Sequence, residues 1–256
     1  MDPTVSEWLN LAFRWIHVLA GVMWIGHLWF FNFVNAQVAK TYDADSRKKV
    51  VPELMPRALY WFRWGAAYTW VTGILLLGLV YMAGGLMGGT MNPQASGGIA
   101  LLIAIASFFV YDVLWKQLKN ETAGAVVSFV LFAVVLLIYK QMMEGRALFI
   151  YAGSTFGTIM AMNVWMRIWP SQRKIIAGIK GTSPAPDPSV AALAGLRSKH
   201  NTYMSVPLIF FMVANHFPTV YGNDNAWVIA LAFVAVGWGI TKFLYNKSAT
   251  PAPAKF

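Results

Sequence analysis

The chain has 256 residues, of which 58% are hydrophobic and only 12% charged, with a net charge of +10 and no cysteine. Soluble domains carry roughly 25% charged residues, so this composition excludes a water-covered surface and points to lipid as the covering. The missing cysteines exclude disulfides, thiolate metal sites, iron–sulfur clusters, nucleophilic cysteine chemistry and the covalent attachment of a c-type haem.

A spanning helix needs roughly 20 mostly apolar residues, and seven stretches qualify: 11–36, 60–83, 98–119, 123–140, 147–169, 203–218 and 226–245. The N-terminus ahead of them is short and acidic (Asp2, Glu7), without the basic region of a cleavable signal peptide. The loop 37–59 carries Lys40, Arg47, Lys48, Lys49 and Arg57, whereas the Gly-rich loop 84–97 carries no charge. The turn 116–121 holds Lys116 and Lys119, and the turn 141–146 is mixed, with Glu144 and Arg146. The loop 170–202 is basic again, 219–225 holds only Asp224, and the tail holds Lys247 and Lys255. This alternation predicts an all-α integral membrane protein, a seven-helix transmembrane bundle with its N-terminus outside and its C-terminus cytoplasmic. Basic residues placed this way read as membrane loops, so no nucleic-acid partner is expected. The sixth span is the shortest and contains Pro207, which predicts a kink. Residues 171–180 read as a short interfacial helix and 181–189 as an extended loop. A single helical domain over 1–246 is expected, followed by a disordered tail, 247–256.

All four histidines, His17, His27, His200 and His216, fall in or at the ends of the first and sixth spans. Ionisable groups inside a membrane are functional candidates by default, and imidazole is the usual axial ligand of a haem in a helix bundle. His27 lies ten residues deeper than His17, about 15 Å along a straight helix. In opposed spans His17 shares a level with His216, and His27 with His200. These two pairs would suit one or two bis-histidine haem b groups. His200 and His216 are sixteen residues apart, about 24 Å if helical, so the match in depth is inexact. The alternative for each histidine is an interfacial or hydrogen-bonded side chain.

Other positions belong to the same reading. Gly21 and Gly26 allow close approach of a macrocycle or of a neighbouring helix. Trp24 and its aromatic neighbours in the first span either wall a porphyrin or face lipid. Arg14, one turn from His17, either pairs with a propionate or snorkels to the interface. Asp112 is either a proton-relay or quinone-site carboxylate or the partner of Lys116 at i,i+4. No glutamate lies within a span, so a carboxylate-bridged metal pair is not expected.

The segments RWIHVLAGVMWIGHLWFF (14–31), WFRWGAAYTWVTGILLLGLVY (61–81), VYDVLWK (110–116), GRALFIYAGSTFGTIMAMNVWMRIWPSQRK (145–174) and SKHNTYMSVPLIFFMVANHFP (198–218) resemble, in order, the N-terminal membrane domain of the bacterial membrane-bound urate oxidase (urate hydroxylase) family. That resemblance implies oxidation of urate, with electrons passed to a C-terminal cytochrome c domain. His17, His200, His216 and Asp112 match it. Tyr151 stands where the family is expected to carry histidine, which makes it a cofactor-site candidate, and His27 stands where the family tends to have a small residue. The cytochrome domain and the last span of the family are expected to be missing from this chain. The expectation is therefore a haem b electron-transfer subunit in a bacterial inner (cytoplasmic) membrane, with cytochrome c or quinone and other subunits of a redox complex as partners. The alternatives are a urate oxidase membrane domain served by a separate cytochrome c, and a cofactor-free accessory subunit.

Overall fold

The computed structural model describes residues 2–249, and every regular element among them is helical. The first helix, α1 (Pro3–Trp29), starts where the Asp2 carboxylate accepts the backbone N–H groups of Thr4 and Val5, with Pro3 at its first position. It runs on through a π-helical turn (Phe30–Asn35), α2 (Ala36–Val38) and a 3-10 turn (Ala39–Thr41). Asp43 caps α3 (Ala44–Leu76) by accepting the N–H of Ser46 at 2.7 Å, and α3 continues as a second π-helical turn (Leu77–Met82). Asn92 and Asn120 cap α4 (Pro93–Gln117) and α5 (Glu121–Met142). Then follow α6 (Arg146–Asn163), a third π-helical turn (Val164–Ile168) and α7 (Trp169–Lys180), which ends at Gly181 with φ 74°. The chain closes with α8 (Pro188–Ala214), the short α9 (Pro218–Tyr221) and α10 (Ala226–Ser248).

Six helical segments are long and apolar enough to cross a membrane: Pro3–Thr41, Ala44–Met82, Pro93–Gln117, Glu121–Met142, Arg146–Lys180 and Ala226–Ser248. Large apolar side chains such as Val22 (70% exposed), Leu102 (67%) and Phe243 (65%) cover their outer faces. Patches of that extent are unstable in water and ordinary in lipid.

Several expected boundaries move. The stretch 37–59, read as a loop, is helical except at Tyr42 and Asp43. Apolar content reports the thickness of hydrocarbon, whereas a helix ends only where capping and backbone allow. Pro52 and Pro56 lie inside α3 without breaking it. The sixth predicted span starts fifteen residues earlier than expected, at Pro188 rather than 203, and ends at Ala214. His200 is thus well inside α8, and His216 lies beyond its end, in a turn where its N–H donates to Val213 O at 3.0 Å. The helix continues through Pro207. The short helix expected over 171–180 is α7. Of the tail, Lys247 and Ser248 are helical, and residues 250–256 lie outside the described residues.

The chain divides into two compact units. The first comprises residues up to His17, Trp70–Met160 and Pro207–Val236. Its core stacks Phe132 on Phe156 (4.3 Å between centroids), and nearer the surface half-buried Phe210 stacks on exposed Phe233 (3.8 Å). The second comprises Val18–Thr69, Ala161–Val206 and the residues from Gly237 onward. Trp24, Leu28, Phe62 and Ala66 are each at most 1% exposed in it.

Candidate functional site

In the first unit, α1 and α3 present His17. Its Nδ1 is 3.1 Å from Thr72 Oγ1. Gly73 lies against the ring: a Cβ there would come within 3.2 Å of His17 Cε1. His216, in the same unit, is exposed. Arg14 is also exposed, and its Nε donates to Asn10 Oδ1 at 2.7 Å. Asp112 is 4% exposed and pairs with Lys116 Nζ at 2.7 Å, the i,i+4 ion pair.

Tyr151 is fully buried, edge-on to Tyr81 (6.5 Å) and Tyr139 (6.2 Å). Its hydroxyl has no hydrogen-bond partner among the described residues and faces Gly97, where a Cβ would sit only 2.7 Å away. The Tyr139 hydroxyl, by contrast, donates to Ala100 O at 3.1 Å and lies 2.9 Å from Thr155 Oγ1.

In the second unit His27 Nδ1 is 2.7 Å from Met23 O. A carbonyl only accepts, so Nδ1 is the donor in this contact and Nε2 takes no part in it. Trp24 is buried. Gly21 and Gly26 are not where a neighbouring helix comes closest. A Cβ on Gly26 would meet nothing within 4 Å, and one on Gly21 would make ordinary contact with Thr69. The close approach is at Gly65 on α3, where a Cβ would lie 3.1 Å from Trp24 N and 3.2 Å from Ala20 O.

The same unit holds a buried polar centre, built at π-helical turns. Asn32, in the turn Phe30–Asn35, donates to Leu28 O and to Ser198 Oγ, both at 2.9 Å, and accepts from the Tyr245 hydroxyl at 2.9 Å. Trp29 Nε1 donates to Ser205 Oγ at 2.9 Å. Asn163, just before the turn Val164–Ile168, donates to Asn201 Oδ1 at 2.9 Å. Arg197, Asn201, Thr202 and Ser205 are all at 0% exposure on α8, with His200 among them half-buried. π-Helical turns are uncommon and gather at functional sites, because the extra residue turns a side chain or a carbonyl out of the regular ladder.

Asn32, Asn163, Arg197 and Asn201 were not among the expected site residues. With the sixth span begun at 203, Arg197 and Asn201 counted as loop. The spacing of Arg197, Asn201 and Ser205, four residues apart, was the available signal for one buried helical face. Among the described residues no group of three or more His, Cys, Asp or Glu side chains is placed to hold a metal ion. The expected histidine pairs divide between the units as they were paired: His17 and His216 in the first, His27 and His200 in the second.

Long apolar helices with polar groups buried among them define a polytopic α-helical membrane protein. The urate oxidase N-terminal family model matches residues 3–50 and 42–255, essentially the whole chain, and the chain belongs to that family. No curated protein and no solved structure matches it.

Proposed function

We propose that this chain is the membrane module of a urate-oxidising system, binding the purine anion at the polar centre of the second unit and passing its electrons to a partner cytochrome c. The observation that carries the reading is Arg197, an arginine at 0% exposure beside the Asn163–Asn201 amide pair in a membrane protein. A charge buried this completely is costly and is kept for function. A guanidinium and carboxamides are also the donors and acceptors that a planar, anionic heterocycle presents partners for. In this reading α8, 27 residues long, is the seventh span. The N-terminus is then outside and the C-terminus cytoplasmic, in a bacterial inner membrane. The test is urate-dependent reduction of added cytochrome c by membranes containing the chain. Arg197→Lys keeps the charge but loses the planar fork, and a rate at least tenfold lower is expected at unchanged expression. An unchanged rate would overturn the assignment.

A second reading, haem b electron transfer, is favoured by His27. Its protonated Nδ1 is tied to Met23 O, the arrangement that leaves an imidazole's Nε2 as a metal donor and fixes its ring. His17 Nδ1 also has a partner, the Thr72 hydroxyl at 3.1 Å, which orients the ring whichever of the two donates. Imidazole nitrogen is a suitable donor to haem iron, so in this reading His17 and His216 would hold one haem b and His27 and His200 the other. The haem would supply one-electron transfer in a low-dielectric interior, while the chain's own residues orient the imidazoles and exclude water. A reduced-minus-oxidised spectrum with pyridine haemochrome quantification tests it. Two haems per chain support both pairs and one supports a single pair. A colourless protein leaves an accessory subunit.

A further inference from the structure

We propose that the cleft over α7 binds the phosphate headgroup of an anionic membrane lipid. The cleft encloses about 580 Å³ and is lined by Trp169, Arg173, Lys174, Lys180, Thr182 and Ser183, among others, with no acidic residue in the lining. Arg173, Lys174 and Lys180 are exposed, whereas Ile176 on the other side of the helix is buried. The helix therefore packs by its apolar side and turns its cations outward.

Trp169 forms the aromatic wall. Its indole is flanked by the Arg63 guanidinium, 4.1 Å from the ring centroid, and by Arg173 at 5.9 Å. At the far end Gly181, in the left-handed region at φ 74°, stops the helix and carries the chain back over it. Thr182 N donates to Ala177 O at 3.0 Å, and a Cβ on Gly178 would meet Pro186 at 3.0 Å, so the following loop closes onto α7.

Location decides between a lipid and a free anion. The cleft begins where the apolar segment Arg146–Lys180 turns polar, which is where headgroups lie, and tryptophan and basic side chains both concentrate at that level. Pro170, Ile176 and Ala177 give the same cleft an apolar share, which suits a glycerol backbone and has no use for inorganic phosphate.

The test is native mass spectrometry of the full chain in detergent, titrated with phosphatidylglycerol, phosphatidylcholine or inorganic phosphate. One tightly retained phosphatidylglycerol per chain is expected, with phosphatidylcholine far weaker. Each cation near a headgroup is worth roughly fivefold in affinity, so R173A/K174A/K180A should weaken retention on the order of a hundredfold. R47A/K48A/K49A removes the same charge from exposed positions outside the cleft and should retain the lipid. Equal loss in both variants, equal retention of both lipids, or competition by millimolar inorganic phosphate would each overturn the proposal. The substituted side chains are exposed, and a native-like elution profile of each variant confirms that folding is not what is read.

Discussion

His17 Nδ1 lies 3.1 Å from Thr72 Oγ1, fifty-five residues away in sequence, and this contact joins α1 to α3 within the first unit. Thr72 is 5% exposed, so its hydroxyl is spent inside the protein. Interhelical hydrogen bonds in membranes contribute about 0.6 kcal/mol on average and at most about 1.7 kcal/mol. Thr72→Val keeps the side-chain shape and is expected to lower stability within that range, while Thr72→Ser, which keeps the hydroxyl, should stay closer to the parent. Thermal unfolding in detergent reads both. On the haem reading, Thr72→Val also shifts the midpoint potential of the bound haem without releasing it, because the partner of Nδ1 tunes ligand basicity.

Gly65 and Gly26 make opposite predictions. A Cβ on Gly65 would press on the backbone of Trp24 and Ala20 at 3.1–3.3 Å, and backbone cannot swing aside. Gly65→Ala is expected to cost about 1–3 kcal/mol, the range of overpacking. Gly26→Ala meets nothing within 4 Å and removes only glycine's excess chain entropy, so it should be neutral or stabilising by up to about 1 kcal/mol. Comparing the two midpoints of unfolding separates close helix packing from the presence of glycine as such.

How far the sequence was legible follows from the same physics. Apolar runs marked the helices well, because hydrocarbon imposes a minimum length on each span. They marked the ends poorly: α3 begins at Ala44 rather than 60 because Asp43 caps it there, ahead of a charged but helix-compatible stretch. The same error hid Arg197 and Asn201, which a hydropathy window reads as loop and α8 buries completely. Asp112 with Lys116 was legible because i,i+4 spacing is local. The approach of Gly65 to Trp24 was not, since it depends on how two helices meet. The π-helical turns were equally hidden, as nothing in FFNFVN or VWMRI distinguishes them from ordinary helix.

The Asp112–Lys116 pair is asymmetric: the aspartate side chain is 5% exposed and the lysine side chain 53%. Screening at the lysine end limits the pair to about 1 kcal/mol or less. Lys116→Ala should cost about that much and Lys119→Ala, three residues further and exposed, less than about 0.5 kcal/mol. In an Asp112→Asn background the cost of Lys116→Ala should vanish. If it persists, lost packing of the lysine stem and not charge pairing is responsible.

Asn32 is the hub of the second unit's polar centre, and Tyr245 is the partner that can be removed most cleanly. Tyr245→Phe deletes one hydroxyl and leaves the ring, which stacks on Tyr203 at 5.8 Å. Asn32→Leu deletes the acceptor for Tyr245 and the donor to Ser198 together. It leaves the Tyr245 hydroxyl without this acceptor, so it should cost more than Tyr245→Phe. The double variant should cost less than the sum of the two, with a coupling near 0.6 kcal/mol and no larger than about 1.7 kcal/mol. A coupling of zero would mean that the two side chains do not depend on each other, and the π-helical turn at Phe30–Asn35 would then need another reason for holding Asn32 where it is. A coupling in the expected range, together with loss of urate-dependent reduction in Asn32→Leu but not in Tyr245→Phe, would separate the framework of the polar centre from the groups that meet the substrate.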